Sequence, residues 1–131
     1  MKLGVISDIH GNLVALAAVI DDMPPVDRLV CAGDLVGYNP WHAQCVNVLR
    51  GGRPNLLPSG WKPVPMVMGN HDRAVVEEDM GALDSLARAG IRHAREQLDE
   101  SHVAWLAGAP TMRRVCDDRV RIVHGHPDSP F

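Results

Sequence analysis

Short apolar runs at residues 3–7, 28–32 and 64–68 alternate with segments in which apolar side chains recur every three or four positions. Runs of this length are typical of buried strands, and the longer recurring pattern is typical of amphipathic helices. Strands and helices in alternation favour right-handed crossovers and a parallel sheet. The pattern therefore predicts an α/β fold built on a parallel sheet.

Capping residues and prolines mark the helix boundaries in the first half of the chain. Asn12 is a favourable N-cap for the first helix, and the Pro24-Pro25 pair ends it. Asn39, which is followed by a proline, is the expected N-cap of a second helix that runs to about Arg50. Residues 51–63 are rich in glycine and proline and predict a loop.

The second half of the chain predicts two more helices and a hairpin. Apolar residues lie on one face of a helix over 83–98, and Ser101 is expected to cap a short helix after it. Residues 112–116 and 119–123 flank Asp117-Asp118, which is the pattern of a hairpin with a two-residue turn.

Length and composition are those of one globular domain. The chain has 131 residues, 46% of them apolar and 22% charged, so we expect a single domain over residues 1–131. Thirteen basic and sixteen acidic residues give a formal charge of −3. This balance argues against a general nucleic-acid binder and against a protein that binds anionic membranes.

The three cysteines, Cys31, Cys45 and Cys116, are odd in number and have no CxxC spacing. Neither a disulfide framework nor a zinc ribbon is expected from them. Polar residues interrupt the N-terminal sequence before the apolar region of a signal peptide can form. These features favour a reducing, cytoplasmic location, and no stretch of the sequence is long and apolar enough to span a bilayer.

Seven histidines are many for a chain of this length. Three of them, His42, His93 and His102, lie on predicted helices and are expected to face solvent. The other four, His10, His71, His124 and His126, lie just after predicted strands, where candidate site residues are expected.

Polar clusters follow the predicted strands at the points where each strand ends. Asp8 and His10 come after the first strand, Asp34 after the second, and a Gly-Asn-His-Asp sequence at 69–72 after the third. His124 follows the last strand. Because ligands bind beyond the carboxyl ends of parallel strands, we expect these side chains to converge on one rim of the sheet.

Convergent aspartate, asparagine and histidine side chains offer mixed oxygen and nitrogen ligands, which suit Mn, Fe, Co, Ni or Zn. Asp8 and His10, two residues apart, can both turn toward one ion. The two carboxylate oxygens of Asp34 can bridge two ions, while Asn70 offers a carbonyl oxygen and His124 an imidazole nitrogen. Two such ions would polarise a phosphoryl group and generate hydroxide near neutral pH.

The order of these motifs resembles that of the calcineurin-like metallophosphoesterase superfamily. The sequences SDIHGN (7–12) and GDLVGY (33–38) are most similar to its bacterial and archaeal phosphodiesterase-like branch, and GNHD (69–72) and HG (124–125) follow in the family's order. The likeness extends over 3–127. Each motif alone is weakly specific, but four in order at successive strand ends are a strong signal.

The resemblance implies two packed β-sheets flanked by helices, in α-β-β-α layers. It implies metal-dependent hydrolysis of a small phosphomonoester or phosphodiester at two divalent cations, with manganese the first choice. By the same resemblance Asp8 and His10 hold one cation and Asp34 bridges the two. Asn70 and His124 then hold the other cation.

The resemblance also assigns His71 as the catalytic residue. It implies that this imidazole contacts the leaving-group side of the phosphate. Asp72 is expected to orient the imidazole, as carboxylates next to a metal site do.

One departure from the family pattern concerns the last residues of the sequence. Family members continue to a closing Gly-His-x-His motif that supplies one more histidine to each cation, and this sequence reaches Phe131 without it. His126 stands in a His-Gly-His-Pro run that imitates the motif only in part. We therefore expect a partial domain whose second sheet lacks its last strands, with an exposed sheet edge through which two copies can pair.

Four of the candidate residues also have an ordinary structural interpretation. Asp8 and Asp34 suit helix N-termini, Asn70 suits a left-handed turn, and His124 suits a polar cap on a strand. A second function of another class stays open as well, namely a catalytically silent scaffold that binds metal or a partner. Metal stoichiometry measured together with turnover separates the two functions.

Overall fold

The computed structural model describes residues 1–129 and 131. Strands and helices alternate through the first half, and a helical segment and a hairpin follow. In chain order the elements are β1 (Leu3–Ile6), α1 (Leu13–Asp22), β2 (Arg28–Cys31), α2 (His42–Arg50), α3 (Asn70–Glu77), α4 (Ser85–Gln97), α5 (Glu100–Ala107), β3 (Met112–Val115) and β4 (Val120–Val123). A single 3-10 turn, Ser59–Trp61, interrupts the loop predicted over 51–63.

The parallel pair β1–β2 lies between two apolar layers. Its register runs from Leu3 opposite Arg28 to Ile6 opposite Cys31. Because successive side chains of a strand point to opposite faces, Leu29 packs into the large core beneath the helices while Val30 packs toward the β3–β4 hairpin. The two small sheets with helices on one side confirm the predicted α/β sandwich architecture.

The strand predicted over 64–68 is wrong as a regular element. This segment makes a single parallel bridge, between Cys31 and Met66. Proline has no N–H to donate, so Pro63 and Pro65 interrupt the row of donors that a ladder requires. The segment still lies beside β2, because the N–H of Cys31 donates to the carbonyl of Pro65 at 2.9 Å.

The N-termini of α1 and α2 differ in how well they were predicted. Asn12 caps α1 as expected, and its Oδ1 accepts from the N–H of Ala15 at 3.0 Å. The N-cap predicted at Asn39 is wrong, since α2 begins at His42 with Trp41 as its N-cap. The side-chain amide of Asn39 instead donates to the carbonyl of His10 at 3.1 Å, a tertiary contact that local capping preference does not anticipate.

Two helix starts in the second half also depart from the prediction. No helix was predicted to begin within the GNHD sequence, yet Asn70 is the first residue of α3 and Gly69 is its N-cap. The short helix α5 is capped by Asp99, whose carboxylate accepts from the N–H of His102 at 3.0 Å, and not by Ser101. An aspartate carboxylate two residues earlier satisfies the same free N–H groups.

The β3–β4 hairpin forms at the predicted place. Val115 pairs with Val120, and the N–H of Arg119 donates to the carbonyl of Cys116 at 3.2 Å. The two central turn residues, Asp117 and Asp118, have φ of 54° and 64°, the positive sign that a tight hairpin turn requires. Ile122 anchors this hairpin in the second apolar layer.

Two of the three helical histidines are buried, which corrects the expectation that all face solvent. His42 is 0% exposed and His102 is 7% exposed, whereas His93 lies at the surface. Each buried imidazole has hydrogen-bond partners for its ring nitrogens.

In the described part of the chain no helix combines the length and apolar character that crossing a bilayer would demand.

Candidate metal centre

Two loops carry the first two motifs and run alongside each other. Loop 1 (residues 8–12) follows β1 and loop 2 (residues 33–39) follows β2. The N–H of Asp8 donates to the carbonyl of Gly33 at 2.9 Å, and the N–H of His10 donates to the carbonyl of Asp34 at 3.0 Å. Asp8, His10 and Asp34 have φ of 54°, 48° and 56°. Such left-handed backbone in non-glycine residues costs free energy and is concentrated at functional sites.

Asp34 is the centre of the side-chain cluster and is 3% exposed. Its Oδ1 accepts from the backbone N–H of His71 at 2.9 Å. Its Oδ2 lies 3.6 Å from Nε2 of His10 and 3.3 Å from Nε2 of His124. Oδ1 of Asp8 lies 3.6 Å from the same His10 nitrogen, so one imidazole stands between two carboxylates.

The orientation of the two imidazoles shows that the cluster suits cations. Nδ1 of His10 bonds to the carbonyl of Val36 at 3.1 Å, and Nδ1 of His124 bonds to the carbonyl of Ala32 at 2.8 Å. A carbonyl oxygen can only accept, so Nδ1–H is the donor in both bonds. Nε2 of each ring faces carboxylate oxygens, and a cation between them is the natural partner of such a nitrogen.

The structure brings all the predicted site residues together. Nitrogen and carboxylate donors fall into two sets, His10 with Asp34 and His71, and Asp8 with Asp34 and His124, with atoms within 4.8 Å of one another in each set. Asp34 belongs to both sets. Oδ1 of Asn70 lies 3.1 Å from Nε2 of His124, which places Asn70 beside the second set. The family resemblance assigned His71 to catalysis, so its place in one donor set with His10 and Asp34 was not predicted.

His71 is buried at the start of α3, and its Nδ1 has no hydrogen-bond partner among the described residues. Burial lowers the pKa of His71, with the nearby Asp34 carboxylate acting in the opposite direction. The ring lies 4.8 Å from the ring of His10, centroid to centroid. His71 is therefore a buried imidazole in contact with the cluster, and its burial favours the neutral form of the ring.

Asp72 does not orient His71, which corrects the role expected for it. One of its oxygens accepts from the N–H groups of Asp34 and Gly69 at 2.8 and 2.9 Å, and the other accepts from Leu35 at 2.9 Å. Burial raises the pKa of Asp72 to about 7, against the lowering effect of these donors. Asp72 thus joins loop 2 to the start of α3 and positions the backbone on both sides of Asp34.

Close backbone approach explains two of the motif glycines. A Cβ on Gly69 would lie 2.0 Å from Oδ1 of Asp34. A Cβ on Gly37, whose φ is 108°, would lie 2.7 Å from Nδ1 of His71. Any larger residue at either position would displace a side chain of the cluster.

Two residues near the cluster, Tyr38 and His42, were not predicted from the sequence to lie there. The ring of Tyr38 lies 4.9 Å from that of His10 and 5.0 Å from that of His71. His42 lies beneath loop 2, and its spacing of three, four and seven residues from the apolar Cys45, Val46 and Leu49 was the signal for its burial.

His126 lies outside both donor sets and is exposed, and its Nδ1 accepts from the N–H of Asp128 at 3.1 Å.

Known proteins are similar to this chain in sequence and in fold. The family model of calcineurin-like phosphoesterases matches residues 1–130. A metallophosphoesterase of Sphaerobacter thermophilus is 34% identical, with a TM-score of 0.77 over 99% of this chain and 49% of that one. A hypothetical protein of Pyrococcus horikoshii, 16% identical, shares the fold with a TM-score of 0.67 over 99% of this chain and 57% of that one.

An uncharacterised protein of Methanocaldococcus jannaschii is 29% identical over 98% of this chain and 51% of its own length. The chain thus spans about half the length of the relatives it matches. The match covers both loops, the start of α3 and the end of β4, which are the segments that build the cluster. The chain belongs to the calcineurin-like phosphoesterase family.

Proposed function

We propose that the protein hydrolyses a small phosphomonoester or phosphodiester at a pair of divalent cations, with Mn²⁺ the first choice. The observation that carries this proposal is the sharing of Asp34 between two donor sets. The Nε2 atoms of His10 and His124 face the same Asp34 oxygen from two sides. A buried carboxylate between two such imidazoles suits a bridging ligand better than a structural ion pair.

Under this proposal Asp8 and His10 hold the first cation and Asn70 and His124 hold the second, with Asp34 common to both. When bound, such cations polarise the phosphoryl group and supply hydroxide near neutral pH. The protein orients these ligands before any cation binds. Backbone groups do so through hydrogen bonds with Nδ1 of His10, with Nδ1 of His124 and with the Asp34 carboxylate.

His71 is the proposed catalytic residue, in contact with the leaving-group side of the phosphate. Burial lowers the pKa of His71 and so favours its neutral form. The rings of His10 and Tyr38 pack against it and restrict its rotation. Since Nδ1 is buried, we expect Nε2 to be the atom that reaches the substrate.

The experiment that tests the proposal measures bound metal and turnover on the same sample. Metal equivalents are counted after Mn²⁺ titration, and hydrolysis of an aryl phosphate monoester and a diester is followed. We expect two equivalents and metal-dependent hydrolysis, both reduced in Asp34→Asn. Two equivalents without turnover of any ester, with several metals, would support the silent metal-binding scaffold instead.

We also propose that the protein resides in the cytoplasm and associates with itself. Its three cysteines are free and buried, which suits a reducing compartment. Val5 and Val19 are 56% and 47% exposed and line a cleft of about 370 Å³ along β1, which pairs with β2 on one side in the described residues. An uncovered strand edge with apolar neighbours favours pairing. Sedimentation of the wild type against Val5→Lys tests this, with fewer dimers expected in the variant.

A further inference from the structure

His42 is the first residue of α2 and lies between the two loops that carry the cluster. It is 0% exposed. A Cβ on Gly11 of loop 1 would lie 2.8 Å from Nδ1 of His42, so the imidazole packs directly against that loop. A polar ring in such a place requires partners, and both of its nitrogens have them.

The chemistry of these partners decides where the protons are. The backbone N–H of Gly37 donates to Nδ1 of His42 at 3.2 Å. An N–H group can only donate, so this Nδ1 carries a lone pair and the proton of the neutral ring is on Nε2. Nε2–H of His42 then donates to Nδ1 of His93 at 3.2 Å. His93, at the surface of α4, accepts through Nδ1.

The other end of the same peptide unit is bound by a candidate ligand. The carbonyl of Val36 and the N–H of Gly37 belong to one peptide plane, and Nδ1–H of His10 donates to that carbonyl at 3.1 Å. His10 and His42 therefore hold one peptide unit from its two ends. Hydrogen bonds in such a chain polarise one another, so a change at one end weakens the rest.

Helix α4 reinforces this connection at a second point. A Cβ on Gly90, three residues before His93, would lie 2.4 Å from the backbone nitrogen of Tyr38. The helix thus contacts loop 2 directly through Gly90 and indirectly through His93 and His42. A shift of α4 would therefore also shift the Val36–Gly37 peptide.

We propose that His93, His42 and the Val36–Gly37 peptide form a histidine relay that fixes the tautomer and orientation of His10. His42 and His93 act in it as positioning residues. Burial lowers the pKa of His42 to about 4, so this ring stays neutral and able to accept from Gly37 at neutral pH. The relay deepens the proposed function, because it presents Nε2 of His10 to a cation.

The first test reads the tautomers directly and requires neither metal nor turnover. Imidazole ¹H–¹⁵N correlation spectra of the metal-free protein distinguish protonated from unprotonated ring nitrogens. We expect the His42 ring to carry its proton on Nε2 and to be unprotonated on Nδ1, the nitrogen that accepts from Gly37. A His42 ring protonated at Nδ1 would overturn the relay, whatever the protein hydrolyses.

The second test follows Mn²⁺ affinity by calorimetry in three variants. His42→Leu removes the acceptor for Gly37, and we expect about tenfold weaker binding of the cation held by His10. His42→Asn restores an acceptor near the position of Nδ1 and should recover most of that affinity. The surface variant His93→Ala leaves the fold intact and should weaken binding by a smaller factor.

The matched control is His102→Leu, which removes the other buried helical histidine. His102, in α5, bonds to Asn47 of α2 and to the N–H of Asp99, neither of which belongs to the cluster. We expect a loss of stability with unchanged Mn²⁺ affinity. Equal loss of affinity in His42→Leu and His102→Leu, or no recovery in His42→Asn, would overturn the relay. If the wild type binds no Mn²⁺, the proposed function fails, and the tautomers alone then decide the relay.

Discussion

Acid should destabilise the fold through His42. Its pKa is lowered from 6.5 to about 4, first by burial and then by the facing His93. Between these pH values the unfolded chain binds a proton at this residue and the folded chain does not. The stabilising contribution of the neutral ring is therefore complete above pH 6.5 and is lost as the pH falls toward 4.

The size of the effect follows from the same shift. A lowering from 6.5 to about 4, at about 1.4 kcal/mol per pH unit, corresponds to about 3 kcal/mol of unfolding free energy. This is a large share of the stability of a small domain. His71 and His102, whose pKa values are also lowered by burial, add to the total acid sensitivity.

Urea unfolding of the wild type and His42→Asn, with chelator present and over this pH range, isolates the contribution of His42. Titrating groups distant from His42 are common to both proteins, so they cancel in the difference, and the contribution that remains belongs to His42 together with its partner His93. We expect the unfolding free energy of the wild type to fall more steeply with acid, and the two curves to diverge by about 3 kcal/mol in total. Parallel curves would refute the assignment of a buried neutral imidazole at this position.

Asp34→Asn should reduce bound Mn²⁺ from two equivalents, because it removes the charge shared by both donor sets; retention of both would contradict the bridging role. His71→Ala should keep its metal and lose about 10²–10⁴-fold in turnover, and loss of metal would instead make His71 a ligand. Gly69→Ala should destabilise the protein by about 1–3 kcal/mol or more, since its Cβ meets Asp34 at 2.0 Å. Gly60→Ala, with nothing within 4 Å, is its control in denaturant unfolding and should change stability little.

Much of the candidate site could be predicted from the sequence because Asp8, His10, Asp34 and His124 follow strands. Alternation of apolar runs with helices placed Asp8, His10 and Asp34 at neighbouring strand ends, and the structure brings them within a few ångströms. His124 could be placed for the same reason, at the end of the hairpin. The coarse α/β fold followed from the same alternation, since it depends on local patterns that tertiary contacts did not override.

The features that were not predicted depend on contacts between distant segments. Asn39 looked like a helix cap, yet the carbonyl of His10 binds its amide. Asp72 looked like a partner for its neighbour His71, yet it binds loop 2 across 38 positions of sequence. His42 looked like a solvated helical residue, yet Gly37 and His93 satisfy its ring. One sequence without the fold does not show which of several polar partners a side chain reaches.

The β3–β4 hairpin carries His124 and is held to the rest of the protein by a small apolar layer around Val30, Val67 and Ile122. A layer of this size permits local opening well below the free energy of global unfolding. An ion that binds His124 engages the closed hairpin alone, and at a concentration 100-fold above its dissociation constant it shifts that opening equilibrium by about 2.7 kcal/mol. Under the proposed function, metal binding at His124 and closure of the hairpin are therefore thermodynamically linked, and we expect added Mn²⁺ to slow amide exchange in β3 and β4 without any substrate.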